Sequence, residues 1–340
     1  MSGNQQFTGR GALAALTAAI VVIAVAATAS TAFSAPAASK LRIAGVVAQT
    51  PDPYFVSMKC GALAAAKKLG NVSLSWQGPV QPSVPQQITA LNSVAVTKPD
   101  GVILTPFSPT AFLQPVSKLM KQGVPVALTD AYLSKKAAYS ATYTDVSSSG
   151  PVLARRIAGL IGGKGELGIV AFGAGDPFET PRYAGMVKVI KAKYPRIHVL
   201  PVQYAAADSN KAAQVVSGLL SAHPNVKAIY ATDGPMGQGA AAALRTAGKR
   251  GVVKLISFDA EPALVADLRR GSIDALYAQA PYIEGYNAMM SLVRYLRGSG
   301  AAKGAVHPAK QYYTPAPLKF ITKVDLSKPA TRKFLYLASC

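Results

Sequence analysis

LRIAGVVAQTPDPYFVSMKCGALAAAKKLGNVSLSW, residues 41–76, contains one complete unit of the pattern that sets the fold. Residues 41–48 form an apolar run of strand length. In the next segment Phe55, Met58, Ala62, Ala65 and Leu69 follow at intervals of three and four, which aligns one apolar face on a helix. Pro53 stands where a helix opens and Gly70 where it closes. VSLSW at 72–76 then reads as a second strand.

The same rhythm continues on the C-terminal side. Strand-like runs recur at GVILTP (101–106), PVALTD (125–130), YSATYTD (139–145), ELGIVAFG (166–173), HVLPVQY (198–204), KAIYATD (227–233), VKLISFD (253–259), DALYAQ (274–279) and LKFITK (318–323). Helix-length segments separate most of them; Pro151 opens one, and Gly123 and Gly248 close two others. Strand–helix alternation predicts an α/β fold with parallel sheets covered by helices on both faces. Eleven strands are many for one open sheet, so two doubly wound lobes of about five or six strands each are expected. The break is placed near Thr144–Asp145, where two strands follow each other without a helix. Residues 300–316, rich in Ala, Gly and Pro and without periodicity, read as a loop or hinge. No internal repeat is visible.

Residues 1–37 read as a secretory signal peptide. Arg10 precedes the uncharged stretch 11–29, and Ala35-Pro36-Ala37 offers a cleavage site, with Ala32 a second option. A retained anchor is the competing reading, since the stretch is about as long as a bilayer requires; its Ala-rich composition favours cleavage. Either way the remaining chain is placed outside the cytoplasm, in the periplasm or on the outer face of the envelope. The chain carries 36 Lys+Arg against 15 Asp+Glu, a formal charge of +21, and losing the leader changes that only to +20. The basic residues are dispersed, with no block of five and no interleaved aromatics, so a solvated surface is expected and no nucleic-acid partner.

Motif chemistry excludes several functions. The three His and two Cys are scattered, which leaves no metal site. A Gly-x-Ser-x-Gly elbow and a phosphate-binding Gly-x4-Gly-Lys loop are both absent. Gly237-Gln238-Gly239 resembles a dinucleotide turn, but it begins too far beyond the strand ending at Asp233 and reads better as packed helix. No cofactor is expected. Ligands of open α/β sheets bind beyond the carboxyl ends of the strands. Asp52, Asp130, Asp233 and Asp259 all stand there, and Gln279 joins them. Each Asp could equally serve as a helix N-cap. As a set, carboxylates and an amide suit a neutral polyhydroxy ligand, because a carboxylate accepts from two adjacent hydroxyls at once. Tyr54, Phe55, Trp76 and Phe107 supply rings that stack on the C–H faces of a sugar; core packing is an equal reading for Trp76. Cys60 and Cys340, the only cysteines, either form a disulfide in an exported chain or remain two free thiols.

Several blocks together are family-specific. They are Asp52-Pro53-Tyr54-Phe55-Val56-Ser57-Met58-Lys59, Gly123-Val124-Pro125-Val126 leading to Asp130, Ala222-His223-Pro224-Asn225-Val226-Lys227-Ala228-Ile229 leading to Asp233, Thr246-Ala247-Gly248-Lys249, Ser257-Phe258-Asp259, and Ala278-Gln279. From Leu41 to Lys323 the chain resembles the type I periplasmic binding proteins of the ribose-binding kind, soluble receptors of sugar ABC transporters. The resemblance implies two lobes joined by three hinge crossings, here near Asp145, Gln279–Ala280 and Pro317–Leu318, with the ligand enclosed between them. It assigns 41–144 with 280–317 to an N-terminal lobe, 145–279 with 318–330 to a C-terminal lobe, and 331–340 to a tail. Tyr54 and Phe55 match the family's ring-stacking positions, Asp130 its hydroxyl-binding acid, and Asp233, Asp259 and Gln279 its second-lobe polar trio. Four positions depart from the pattern: Asp52 replaces an Asn, Ala131 and Thr180 replace arginines, and Ala207 replaces a Phe. Asp52 and Thr180 stay in the expected ligand set. A pocket richer in acid and poorer in Arg points away from ribose toward another pentose, a sugar alcohol or another neutral polyol.

The expected function is therefore a monomeric extracytoplasmic binding protein that closes on a neutral sugar or polyol and docks on the permease subunits of an ABC importer, without catalysis. The alternatives are a receptor that docks on a chemoreceptor or sensor kinase, and an exported enzyme.

Overall fold

The structure is a computed structural model that describes residues 40–298 and 304–340. The leader expected at 1–37 lies outside the described residues. The first lobe begins with β1 (Leu41–Val46), α1 (Pro53–Leu69), β2 (Val72–Gln77), α2 (Val84–Val96), β3 (Gly101–Leu104), α3 (Leu113–Lys121), β4 (Val126–Thr129) and β5 (Ser140–Tyr143). The second holds α4 (Gly150–Leu160), β6 (Gly165–Ala171), α5 (Thr180–Lys193), β7 (Ile197–Val199), β8 (Gln203–Tyr204), α6 (Ser209–Ala222), β9 (Val226–Ala231), α7 (Gly234–Thr246), β10 (Lys254–Phe258), α8 (Pro262–Arg270) and β11 (Ala275–Ala278). Then α9 (Pro281–Arg297) and β12 (Tyr313–Pro315) return to the first lobe, and β13 (Lys319–Ile321) to the second.

Two sheets result, in the orders β12-β5-β4-β3-β1-β2 and β13-β11-β10-β9-β6-β7, with β8 also on β6. The first is parallel throughout; in the second only β13 runs antiparallel. The chain thus crosses between sheets after β5, after β11 and between β12 and β13. This is the doubly wound α/β architecture that the alternation implies. Central strands β3, β4 and β11 are buried along their whole length, as parallel strands covered on both faces must be.

Two strand expectations need correction. The run 198–204 is two strands, because Pro201 has no N–H to continue the ladder, and β7 and β8 pair with β6 on either side of it. The segment 300–316 is not all loop: Tyr313 pairs with Ala141, and β12 extends the first sheet. Gly237 and Gly239 lie within α7, where added side-chain atoms would collide with Ser257 and with the Ser209 carbonyl; both serve packing.

Helix α1 bears Tyr54 and Phe55 in its first turn, and its position is set by α9. A Cβ on Gly61 would overlap the Tyr282 carbonyl, and one on Gly285 would overlap the Met58 carbonyl. The two helices therefore touch backbone to backbone at a reciprocal pair of glycines. Neither contact can be relieved by swinging a side chain. For Gly285→Ala we expect overpacking, about 1–3 kcal/mol, to exceed the gain in helix propensity of about 1 kcal/mol. The melting temperature should fall by several degrees; an unchanged or higher value would contradict the contact.

Candidate functional site

A cavity of about 760 Å³ opens between the carboxyl ends of the two sheets. From the first lobe it is lined by Asp52, Tyr54, Phe55, Phe107 and Asp130, and from the second by Asp233, Asp259 and Gln279. Of the ten ligand-binding positions expected from sequence, Trp76 and Thr180 do not line it. Trp76 pairs with Gly45 across β1 and β2, and its ring fills the space above that glycine. Thr180 opens α5 with its hydroxyl buried away from the cavity.

The strand-tip aspartates divide by backbone. Asp52 and Asp233 are N-caps, accepting from the Tyr54 and Met236 amides at 2.7 and 3.0 Å, and line the cavity as well. Asp130 and Asp259 are not N-caps, although Asp259 also accepts from the Gly234 amide at the start of α7 and from Gln279. Both take left-handed backbone, at φ 59° and 72°, which turns the chain sharply as it leaves β4 and β10. Asp tolerates that region better than most residues, and such strain gathers at ligand sites.

Each of these two carboxylates is held by a tyrosine. The Tyr54 hydroxyl donates to Asp130 Oδ1 at 2.8 Å, and the Tyr336 hydroxyl donates to Asp259 Oδ1 at 2.8 Å. Behind Asp130 lies Glu284, fully buried on α9. Its Oε2 accepts the Asp130 amide at 2.8 Å and lies 3.1 Å from the Tyr54 hydroxyl, while Oε1 accepts the Thr144 hydroxyl at 3.3 Å. Since Tyr54 has one proton to give, Glu284 is the carboxyl that keeps its own; burial and the neighbouring Asp130 push it well above its ordinary range. On the other lip Gln87 fixes the loop bearing Phe107, donating to the Thr105 carbonyl at 2.6 Å and accepting the Phe107 amide at 3.0 Å.

Arg182 is the only basic side chain lining the cavity among the described residues. It pairs with Glu179 at 2.8 Å, lies 3.7 Å from Asp259 Oδ2, donates to the Thr232 carbonyl at 2.9 Å and covers the Phe258 ring at 4.4 Å. Burial opposes its charge, yet Glu179, Asp259, Asp130 and Asp233 together hold its pKa above the usual arginine value. Burial in turn raises Asp130, Glu179, Asp233 and Asp259 against the pull of Arg182. Asp52 is pushed up to about 6 by burial and by Asp259 and Asp130, and Glu261, which accepts from Gln238 at 2.8 Å, is pushed up to about 9. No group of three or more His, Cys, Asp or Glu among the described residues is arranged to hold a metal ion.

Sequence reasoning missed Arg182, Glu261, Glu284 and Tyr336 as members of this network. Glu179 and Arg182 carry a faint signal, an i, i+3 acid–base pair at a helix start. The second-lobe position expected to lack a ring is Ala207, with left-handed Ala206 beside it, and Phe172 and Phe178 supply rings on that side instead. Phe178 meets Tyr132 of the first lobe edge-on at 5.6 Å, so the rim of the cleft is in contact.

Comparison with known proteins places the chain in a family. The model of the family described as "Periplasmic binding protein domain" matches residues 43–300. The ribose import binding protein of Escherichia coli is 29% identical over 265 residues, covering 78% of this chain and 88% of its own. The D-allose-binding periplasmic protein of the same organism is 27% identical, with 76% and 86% covered. Among solved structures, an ABC transporter solute binding protein from Agrobacterium vitis bound with alpha-D-tagatopyranose superposes with a TM-score of 0.78 at 28% identity, covering 88% of this chain and 100% of its own. An arabinose binding protein from Geobacillus stearothermophilus gives 0.73 at 28% identity, with 84% and 98% covered.

The buried carboxyls make stability pH-dependent in a definite direction. Glu261 binds its proton more tightly folded, at about 9, than at its ordinary value of 4.5. Between those values the folded chain keeps a proton that the unfolded chain has lost, so stability falls as pH rises through that window. Glu261→Gln removes the ionisation while retaining a polar side chain of nearly the same shape. It should raise the melting temperature at pH 8 relative to the parent and change it little at pH 4, shown by thermal unfolding across that range; equal effects at both ends would refute the buried-acid account.

Proposed function

The chain belongs to the periplasmic binding protein domain family, and on that premise we propose that it is the exported substrate-binding component of an ABC importer, enclosing one neutral monosaccharide or sugar alcohol between its lobes. The observation that carries the reading is the convergence of Asp52, Asp130, Asp233, Asp259 and Gln279, contributed by both lobes, on one cavity. A ligand touching both sets favours the arrangement in which the lobes approach, and so selects the closed state. The closed pair of lobes then presents a joint surface to the permease subunits. The protein acts as a monomer and turns nothing over. The lobe assignment proposed is 41–144 with 280–317, and 145–279 with 318–330.

The chemistry suits hydroxyls. An ionised carboxylate accepts from a hydroxyl, and a carboxyl that has kept its proton donates to one, so a mixed set satisfies groups that do both. Phe55, Phe107, Phe172 and Phe178 offer apolar faces for C–H groups. The relatives' names and bound ligands, ribose, allose, arabinose and tagatose, are all neutral monosaccharides, and the acid-rich, arginine-poor lining extends the choice to sugar alcohols.

A thermal-shift screen against pentoses, hexoses, tetritols and pentitols identifies the ligand. At about a thousand times its dissociation constant a ligand adds about 4 kcal/mol, enough to raise the melting temperature by several degrees. Asp233→Asn keeps the helix cap and Asp259→Asn tolerates left-handed backbone. Each should weaken the binding identified in the screen by about ten- to a hundredfold, as expected for loss of a charge-assisted hydrogen bond. Unaltered affinity in both variants rejects the site, and the absence of any shift across the screen rejects the ligand class.

A further inference from the structure

After β13 the chain runs through two short 3-10 helices, Lys323–Ser327 and Pro329–Phe334, into a terminal segment that crosses the cleft. Tyr336 docks on the second lobe: its amide donates to the Ala260 carbonyl at 3.0 Å and its hydroxyl to Asp259. The very next residue docks on the first lobe, where the Leu337 amide donates to the Ser57 hydroxyl of α1 at 2.6 Å. Three residues later Cys340 is disulfide-bonded to Cys60, also on α1, with the two Cα atoms 5.3 Å apart. Phe334 and Tyr336 are buried in a core that contains both Tyr54, Phe55 and Met58 of α1 and Ala260 and Leu264 of the second lobe. The two tyrosines that hold the strand-tip aspartates also touch each other, Tyr54 and Tyr336 meeting edge-on at 5.4 Å. Asp130, Tyr54, Tyr336 and Asp259 therefore form one continuous chain of contacts from lobe to lobe.

We propose that residues 335–340 are a strap, fastened to α1 by the Cys60–Cys340 bond, that limits how far the cleft opens and completes the binding site by delivering Tyr336 to position Asp259. Opening the lobes pulls Ala260 and Asp259 away from α1. Tyr336 cannot follow both, so it must leave Asp259, or the lobes must stop. Four residues beyond Tyr336 the chain is covalently fixed, and a fully extended segment reaches only about 3.3–3.6 Å per residue. A released Tyr336 thus stays close to its pocket, at the high local concentration that a short tether imposes. Arg182, Glu179, Asp52, Asp130, Asp233, Glu261 and Tyr230 are charged and titratable groups whose fields act together with Asp259. Among the groups around its carboxyl, the Tyr336 hydroxyl is a donor that steadies the ionised form.

The strap depends on the two-lobe fold and not on the identity of the ligand, so both tests are made without ligand, and their failure is separate from failure of the sugar assignment. Protein purified after export, in the absence of reductant, is compared by small-angle X-ray scattering with the same protein reduced by a phosphine and with Cys340→Ser, circular dichroism showing that each stays folded. A larger radius of gyration in both, reversed on reoxidation of the parent alone, is expected. Identical scattering with and without the bond overturns the strap. Tyr336→Phe keeps the ring and the disulfide but removes the hydroxyl. The Asp259 carboxyl, followed by carbon-13 NMR, should then titrate at higher pH than in the parent; an unmoved titration means the ring only fills space, and overturns the positioning role.

Discussion

Arg182 meets Glu179 at 2.8 Å and Asp259 at 3.7 Å, and it faces more buried carboxyls than one cation can neutralise. That imbalance governs the cleft. Unpaired buried charge is far more expensive than a retained proton. The surplus carboxyls must therefore keep protons, accept from fixed donors, or meet a ligand. Glu284 does the first, enclosed by Tyr54, Thr144 and the Asp130 amide. Asp52 and Asp233 do the second through helix-end amides, and Asp130 and Asp259 through tyrosine hydroxyls. The result is a set of oxygen atoms facing the cavity whose hydrogen-bonding capacity is only partly used.

The first-lobe half of this set depends on where α1 lies. That helix begins at the Asp52 cap, carries Tyr54 and Phe55 in its first turn, and offers Ser57 and Cys60 to the terminal segment. Its backbone contact with α9 leaves no freedom to slide, and α9 in turn brings Glu284 under Asp130. Packing and polar geometry are thus one problem: a shift of α9 would move Tyr54 and the acid behind it together. At the crossings, the Tyr143 and Tyr313 rings meet at a tilt with centroids 4.5 Å apart, and the Tyr313 hydroxyl donates to the Tyr143 carbonyl at 3.0 Å, which ties two of the three connections to each other.

The fold is readable in the sequence because helix and strand periodicities are local properties, and so are the Pro and Gly signals that bound them. The strand-tip aspartates are readable for the same reason, since topology places every tip of a parallel sheet on one side. Trp76 misleads because a strand tip suggests the cavity, whereas β2 is an edge strand and its ring falls on Gly45 beside it. Thr180 misleads because its neighbours Glu179, Pro181 and Arg182 line the cavity while its own hydroxyl is buried and does not. Glu284 and Tyr336 carry no local sign. One lies 154 residues from the Asp130 it supports and the other 77 from Asp259, and no periodicity spans such distances. The terminal segment is legible only through its cysteine: of the two readings open for Cys60 and Cys340 the structure forms the bond, across 280 positions, while nothing local marks where the residues before Cys340 dock.

The same electrostatics bear on the proposed ligand. A phosphorylated sugar or a sugar acid would bring anionic oxygens among carboxyls whose single guanidinium is already engaged by Glu179, and the low dielectric of the cleft magnifies that repulsion. A cation would be attracted, but only as neighbouring carboxyls gave up protons that burial makes them hold, so its binding would be coupled to proton release. A polyol requires neither. On the proposed reading its hydroxyls would donate to Asp130 or Asp259 and accept from acids such as Glu261 that stay protonated near neutral pH, while its C–H faces would lie on Phe55 and Phe107. A neutral ligand would therefore use the cleft in the protonation state that burial already imposes, and that is the physical ground on which we propose an uncharged sugar or sugar alcohol rather than its charged relatives.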